Sequence, residues 1–116
     1  MQTTRAILDR HLNAFFAYDV EGVLADYGKD IVFFTAGGQL TGVDAVRPFF
    51  ETMIAEFRQP GSRFTMKQYD VAGDHGYIVW DAETRDNVYD LATDTFVVRD
   101  GHIIAQSFTA SIRTKH

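Results

Sequence analysis

From Phe96 to Ile112 apolar side chains recur at every second position, through Phe96, Val98, Ile104, Phe108, Ala110 and Ile112, and the same parity carries Asp94 and Gln106. Alternate side chains of a strand point to opposite faces. One apolar sheet face therefore holds a carboxyl group and an amide, and burying such groups is costly unless they are paired. The opposite parity, with Ser107, Thr109, Ser111 and Arg113, reads as the outer face. Arg99-Asp100-Gly101 suits a three-residue hairpin loop with Gly101 left-handed, a register that sets Val98 against His102 and Asp94 against Gln106. In the strand from Gly76 to Arg85, Ile78, Trp80, Ala82 and Thr84 face inward, while Asp81, Glu83 and Arg85 face out. For both strands to share one core, the turn Arg85-Asp86-Asn87 needs an odd number of loop residues, with Asn87 left-handed; a two-residue loop would swap one strand's faces.

Ahead of these strands the apolar period changes to that of helices. A first helix capped by Thr3 or Thr4 runs to Phe16, with Ile7, Leu8, Leu12, Phe15 and Phe16 on one stripe and His11 inside it. A second spans about Val20 to Tyr27, and a buried strand follows at Ile31–Phe34. Ala36-Gly37-Gly38 reads as a loop, and Thr41 caps a third helix that extends to about Phe57 with Val46, Phe49, Phe50, Met53, Ile54 and Phe57 inward and Pro48 as a kink. Strands near 63–72, 76–85, 88–99 and 102–113 complete the chain. Three N-terminal helices covering a curved antiparallel β-sheet make an α+β domain of residues 1–116, cone-shaped with an internal pocket.

Composition narrows the function. Net charge of −5 supplies no basic stripe to neutralise phosphates, which argues against nucleic acid and anionic membranes as partners. No apolar run approaches the ~20 residues of a membrane span, and Met1–Arg5 shows no export pattern, so a soluble protein with the cytoplasm as default is expected. Without cysteine there is no thiol nucleophile or thiolate metal site. His11, His75, His102 and His116 lack metal-ligand spacing, and neither glycine pair forms a phosphate loop, so neither metal nor cofactor is expected. Ten Phe, five Tyr and one Trp suit a fold built around a curved sheet or an apolar pocket.

Two residues carry the chemistry on this reading. Desolvation favours the neutral form of Asp94, which could then donate to a ligand oxygen; alternatively Gln106, Tyr27 or a backbone group satisfies its carboxylate. His11 could move a proton, or be a core histidine bonded to one partner. Trp80, Phe96 and Phe108 line the pocket, and Tyr27 and Gln106 are candidate hydrogen-bond partners for the ligand.

The order of elements, with Val20-Glu21-Gly22-Val23-Leu24, Asp30-Ile31-Val32-Phe33-Phe34, Leu40-Thr41-Gly42 and Asp94–Ile103, resembles the nuclear transport factor 2-like superfamily, and within it the small SnoaL-like and ketosteroid-isomerase-like proteins. The resemblance covers nearly the whole chain and implies a cone-shaped pocket for a small hydrophobic organic ligand and a homodimer through the outer sheet face. It also implies that Asp94 matches the isomerase's oxyanion-hole acid and His11 its oxyanion-hole tyrosine, while the general base falls at Thr35 and a supporting tyrosine at Phe50. Tyr27 matches the tyrosine that closes the second helix. An isomerase, cyclase or dehydratase acting without cofactor, a non-catalytic ligand-binding module and a dimerisation module using Thr93, Thr95, Val97, Ala105, Ser107 and Thr109 are the three readings.

Overall fold

A computed structural model describes residues 3–116. Helix α1 (Thr4–Phe16) starts at Thr3, whose hydroxyl accepts from the Ala6 N–H at 3.1 Å, and helix α2 (Val20–Ala25) starts at Asp19, which accepts from the Gly22 N–H at 3.0 Å. A hairpin of β1 (Tyr27–Thr35) and β2 (Gly38–Thr41) leads to α3 (Val43–Phe57). The meander β3 (Arg63–Ala72), β4 (His75–Glu83), β5 (Asn87–Arg99) and β6 (His102–Thr114) follows. One six-stranded sheet results, ordered β2-β1-β6-β5-β4-β3.

The sheet is mixed, not wholly antiparallel. β1 enters beside β6 in parallel, with Phe33 opposite Gln106, because the whole helical and meander segment intervenes as a crossover. The second helix is shorter than expected, leaving Tyr27 as the first residue of β1. Thr41 belongs to β2, and Gly42, at φ 89°, occupies the cap of α3. Sequence pattern understated this four-residue strand because its side chains are mostly exposed.

Both hairpin loops expected to be odd are even, yet Asp94 still faces the core. Arg99 pairs with His102 across Asp100 and Gly101, at φ 53° and 80°, a two-residue turn of the kind that favours Gly and Asp. Ile104 then stands as an extra residue, since Val98 pairs with Ile103 and Val97 with Ala105. At the other turn Thr84 and Asn87 close a loop over Arg85 and Asp86, through a Thr84 N–H to Asn87 carbonyl bond of 2.8 Å. Asn87 is not left-handed; among described non-glycine residues only Tyr18 and Asp100 have positive φ. Asp90 is the compensating extra residue there, and Lys67 a third on β3. Each bulge reverses facing once and bends its strand, so two even loops with two bulges reproduce the parity of two odd loops and also curve the sheet. Asp94 consequently lies opposite Phe108, and Gln106 opposite Phe96. In β6 Ile103, not Ile104, is buried, and Ile112, near the end of the strand, is 47% exposed.

The helices cover the concave face. Ile7, Leu8 and His11 of α1 and Val46, Phe50, Ile54 and Phe57 of α3 are buried against Ile78, Trp80, Ala92 and Phe96, whereas Phe16, at the end of the α1 stripe, is 43% exposed. Gly76 permits the close approach of α1 to β4, because a Cβ there would stand 2.2 Å from Cδ1 of Leu8. Among the described residues, no helix is long and apolar enough to cross a membrane.

Candidate active site

Between α1, α3 and the curved sheet lies a cavity of about 50 Å³. Its polar wall is formed by His11, Asp94 and Gln106, and Phe50, Trp80, Phe96 and Phe108 supply most of the apolar wall. Leu12, Phe15, Phe16, Phe49 and Met53, residues whose pattern marks them only as core, also border it, as does Phe64. The aromatic walls brace one another: Trp80 stacks on Phe64 at 5.0 Å and on Phe108 at 6.0 Å between ring centroids, and Phe49 meets Phe108 edge-on.

Asp94 is 7% exposed. Its two oxygens accept from the Trp80 indole N–H and the Gln106 amide N–H, each at 2.9 Å. Desolvation raises its pKa to about 6, against the opposing pull of those two donors. The alternate parity of β4, β5 and β6 brings all three side chains to one face, and the bulge at Ile104 sets Gln106 one pair along from Asp94 so that its amide reaches diagonally.

His11 is equally enclosed, 3% exposed, by the rings of Tyr27, Phe50 and Phe96 at centroid distances of 5.0, 6.3 and 5.9 Å. Nδ1 lies 3.1 Å from the Val23 carbonyl, which can only accept, so Nδ1 carries the hydrogen and Nε2 the lone pair in the neutral ring. Burial lowers the pKa to about 4, offset in part by the Val23 bond. Histidine and aspartate thus exchange their ordinary order: between pH of about 4 and about 6 the imidazole is a free base while the carboxyl is protonated.

His11 and Asp94 are joined through two intermediaries. The Tyr27 hydroxyl donates to Oε1 of Gln106 at 2.5 Å, Gln106 donates to Asp94, and the Tyr27 oxygen stands 3.4 Å from Nε2 of His11. Tyr27 is 4% exposed and lies behind the cavity wall; burial, with the charges of Asp94 and Asp26, pushes its phenol well above the usual range. Thr35 is not at the cavity. Its hydroxyl donates to the Gly38 carbonyl at 2.9 Å and accepts from the Gly37 N–H at 3.2 Å, closing the β1–β2 turn, so a ligand-binding role there is withdrawn.

Sequence reasoning missed Asp26. Extending α2 to Tyr27 made it one more helix-end residue, yet it is 1% exposed, caps α2 and accepts from Arg10 Nε at 2.7 Å. Its other oxygen, Oδ2, is 3.8 Å from Nδ1 of His11. The available clue was local: an acid between Ala25 and Tyr27 at the entry to a buried strand. Among the described residues, no three histidine or carboxylate side chains converge as metal ligands would.

The SnoaL-like domain model matches residues 8–106, which includes His11, Asp26, Tyr27, Asp94 and Gln106. This chain belongs to the SnoaL-like family. No protein of curated function matches it. Among solved structures, the SnoaL-like chain is similar to an NTF2-like protein of unknown function from Mesorhizobium loti, with TM-score 0.78 and 22% identity over 93% of this chain and 90% of that one. It is similar also to a candidate ketosteroid isomerase from Kribbella flavida DSM 17836, with TM-score 0.75 and 15% identity over 93% and 77% of the two chains. The epoxide hydrolase/cyclase-like enzyme SalBIII, of pyran ring formation in the polyether salinomycin, superposes with TM-score 0.79 and 14% identity over 96% and 95%. At these identities the structural likeness establishes the fold of the SnoaL-like chain.

Proposed function

We propose that this SnoaL-like protein is a cofactor-independent acid/base enzyme acting on a small, largely apolar molecule that carries a carbonyl, hydroxyl or epoxide oxygen. One observation carries the reading: a carboxyl whose pKa is raised to about 6 and an imidazole whose pKa is lowered to about 4 border the same apolar cavity. In the window between them Asp94 gives a proton or hydrogen bond to the ligand oxygen, and the neutral His11 ring is the base that takes a proton from carbon or from a hydroxyl. Gln106 holds the Asp94 carboxyl in place, and Trp80, Phe96 and Phe108 hold the ligand's apolar body. Isomerisation, cyclisation, dehydration and epoxide opening are each open to general acid/base catalysis by such a pair. The fold likeness to SalBIII and to the candidate isomerase adds weight to that range of reactions.

Incubating the protein with a panel of aromatic ketones, hydroxyketones and epoxides, with product analysis, tests the proposal. Turnover lost in both Asp94→Asn and His11→Ala supports it, and turnover unchanged in both removes it.

A non-catalytic ligand-binding module with a residual pocket is the second reading, favoured by the size of the cavity. Ligand pockets usually enclose ~300 Å³ or more, against the 50 Å³ present here. Thr35, at the position where the resembling isomerases carry their general base, points the same way. Trp80 fluorescence that responds to a ligand with no product formed decides for this reading. We also propose a homodimer through the outer face of β5 and β6, where Val97, Ala105 and Ser107 are half-buried and Thr95 and Thr109 exposed within one chain. Light scattering that shows only monomer at micromolar concentration removes it.

A further inference from the structure

The surroundings of His11 are one hydrogen short for a neutral ring and complete for a charged one. Tyr27 has a single hydroxyl hydrogen, which goes to Gln106 at 2.5 Å. Its oxygen therefore faces Nε2 of His11, at 3.4 Å, lone pair to lone pair. Adding a proton to Nε2 creates the missing donor, with the Tyr27 oxygen ready to accept, while Nδ1–H keeps its bond to Val23. On the other side of the ring, Asp26 is 1% exposed and has one oxygen taken up by Arg10, whose Nε and Nη2 stand at 2.7 and 2.6 Å. Oδ2 of Asp26 is buried with no hydrogen-bond partner and lies 3.8 Å from Nδ1. Buried polar atoms are ordinarily satisfied, and each exception asks for a reason.

We propose that Asp26 is a positioning residue which, with Arg10, sets the basicity of His11, supplying the counter-charge for the imidazolium that forms when Nε2 takes a proton. This rests on the reading of His11 as the base. Four charged or titratable groups around the ring enter the account. Asp26 at the α2–β1 junction attracts the imidazolium, and Arg10 on α1 offsets part of that attraction through the same carboxylate. Tyr27 on β1 accepts the new hydrogen, and Asp94 on β5 lies two hydrogen-bonded residues away. The counter-charge is thus held close to the ring but partly spent on an arginine at the surface, and burial keeps the resting imidazole neutral. The step balances: the ring takes a proton from ligand carbon or oxygen, is held as the imidazolium with Asp26 as counter-charge, and returns that proton to product.

NMR titration of the His11 ring nitrogens in the full chain reads this without any substrate. In Asp26→Asn the ring should be neutral at pH 4, where the wild type is about half protonated. In Arg10→Gln, which keeps one donor for the carboxylate and removes the charge, the midpoint should rise by about one pH unit. Shifts in these opposite directions support the proposal. A midpoint unmoved in Arg10→Gln overturns it, even should Asp26→Asn fail to fold. Because the readout is protonation and not turnover, an inactive protein with these shifts would refute the enzymatic reading and leave the Asp26–His11 pairing standing.

Discussion

Two carboxylates meet the sheet from inside this molecule, and their surroundings differ in kind. Glu56, at the end of α3, accepts from the Thr84 hydroxyl at 2.7 Å, the Asn87 amide at 3.0 Å and the Tyr89 hydroxyl at 3.0 Å. It lies off the cavity and fastens the last turn of the helix to the β4–β5 hairpin. Asp94 has two donors, is more deeply buried and borders empty apolar space. A half-buried carboxylate with three donor residues is a structural joint. One that is enclosed, has fewer donors and faces a cavity is, on the reading proposed above, the group that exchanges a proton.

That contrast breaks most visibly in activity. Asp94→Asn should lower turnover by about 10²–10⁴-fold, the usual size of a general acid contribution, with the fold kept, whereas Glu56→Gln should leave turnover near wild type; a steady-state assay of both separates them. In stability the order reverses. Glu56→Ala strands three donors around a half-buried site and should cost about 2–3 kcal/mol in urea unfolding. Gly76→Ala, which forces Leu8 away from β4, should cost about 1–3 kcal/mol on the same scale.

The pH dependence of stability sharpens the comparison further. The His11 pKa is depressed from 6.5 to about 4 in the folded state, so the unfolded chain binds more protons and stability falls as pH drops through that interval. The Asp94 pKa is raised from 3.8 to about 6, so the folded state binds more protons and stability rises over nearly the same interval. Each is worth roughly 3 kcal/mol, and together they nearly cancel. Asp94→Asn removes one side of that balance, so its stability should fall more steeply than wild type between pH 6.5 and 4 in urea titrations. The smallest effect belongs to Thr35→Ala, which loosens only the β1–β2 turn and should leave ligand binding unchanged, with about 1 kcal/mol or less of stability lost.

Much of this architecture is legible in the chain. Alternation along β4, β5 and β6 places Ile78, Trp80, Asp94, Phe96 and Gln106 inside, as found, and the 3.6-residue period of α1 puts His11 among Ile7 and Leu8. The loop lengths were not legible, because an odd loop and an even loop with one bulge leave the same pattern of inward residues. Asp90, exposed and paired with Arg113, and Lys67 look like ordinary surface positions in sequence. β2 is too short and too exposed for a period to register, and the parallel pairing of β1 with β6 depends on long-range packing that local pattern does not carry. For the site, the aligned members of the polar row emerge from parity alone. Asp26 does not, since its burial follows from where α2 stops and β1 begins, and element boundaries are the weakest inference from pattern.

The central claim is the exchanged order of two protonations, and NMR titration of the Asp94 carboxyl carbon and the His11 ring nitrogens in one sample measures it directly. At pH 5 the account predicts a protonated Asp94 beside a neutral His11 with hydrogen on Nδ1. A carboxylate and an imidazolium at that pH, the order these side chains show in water, would contradict it.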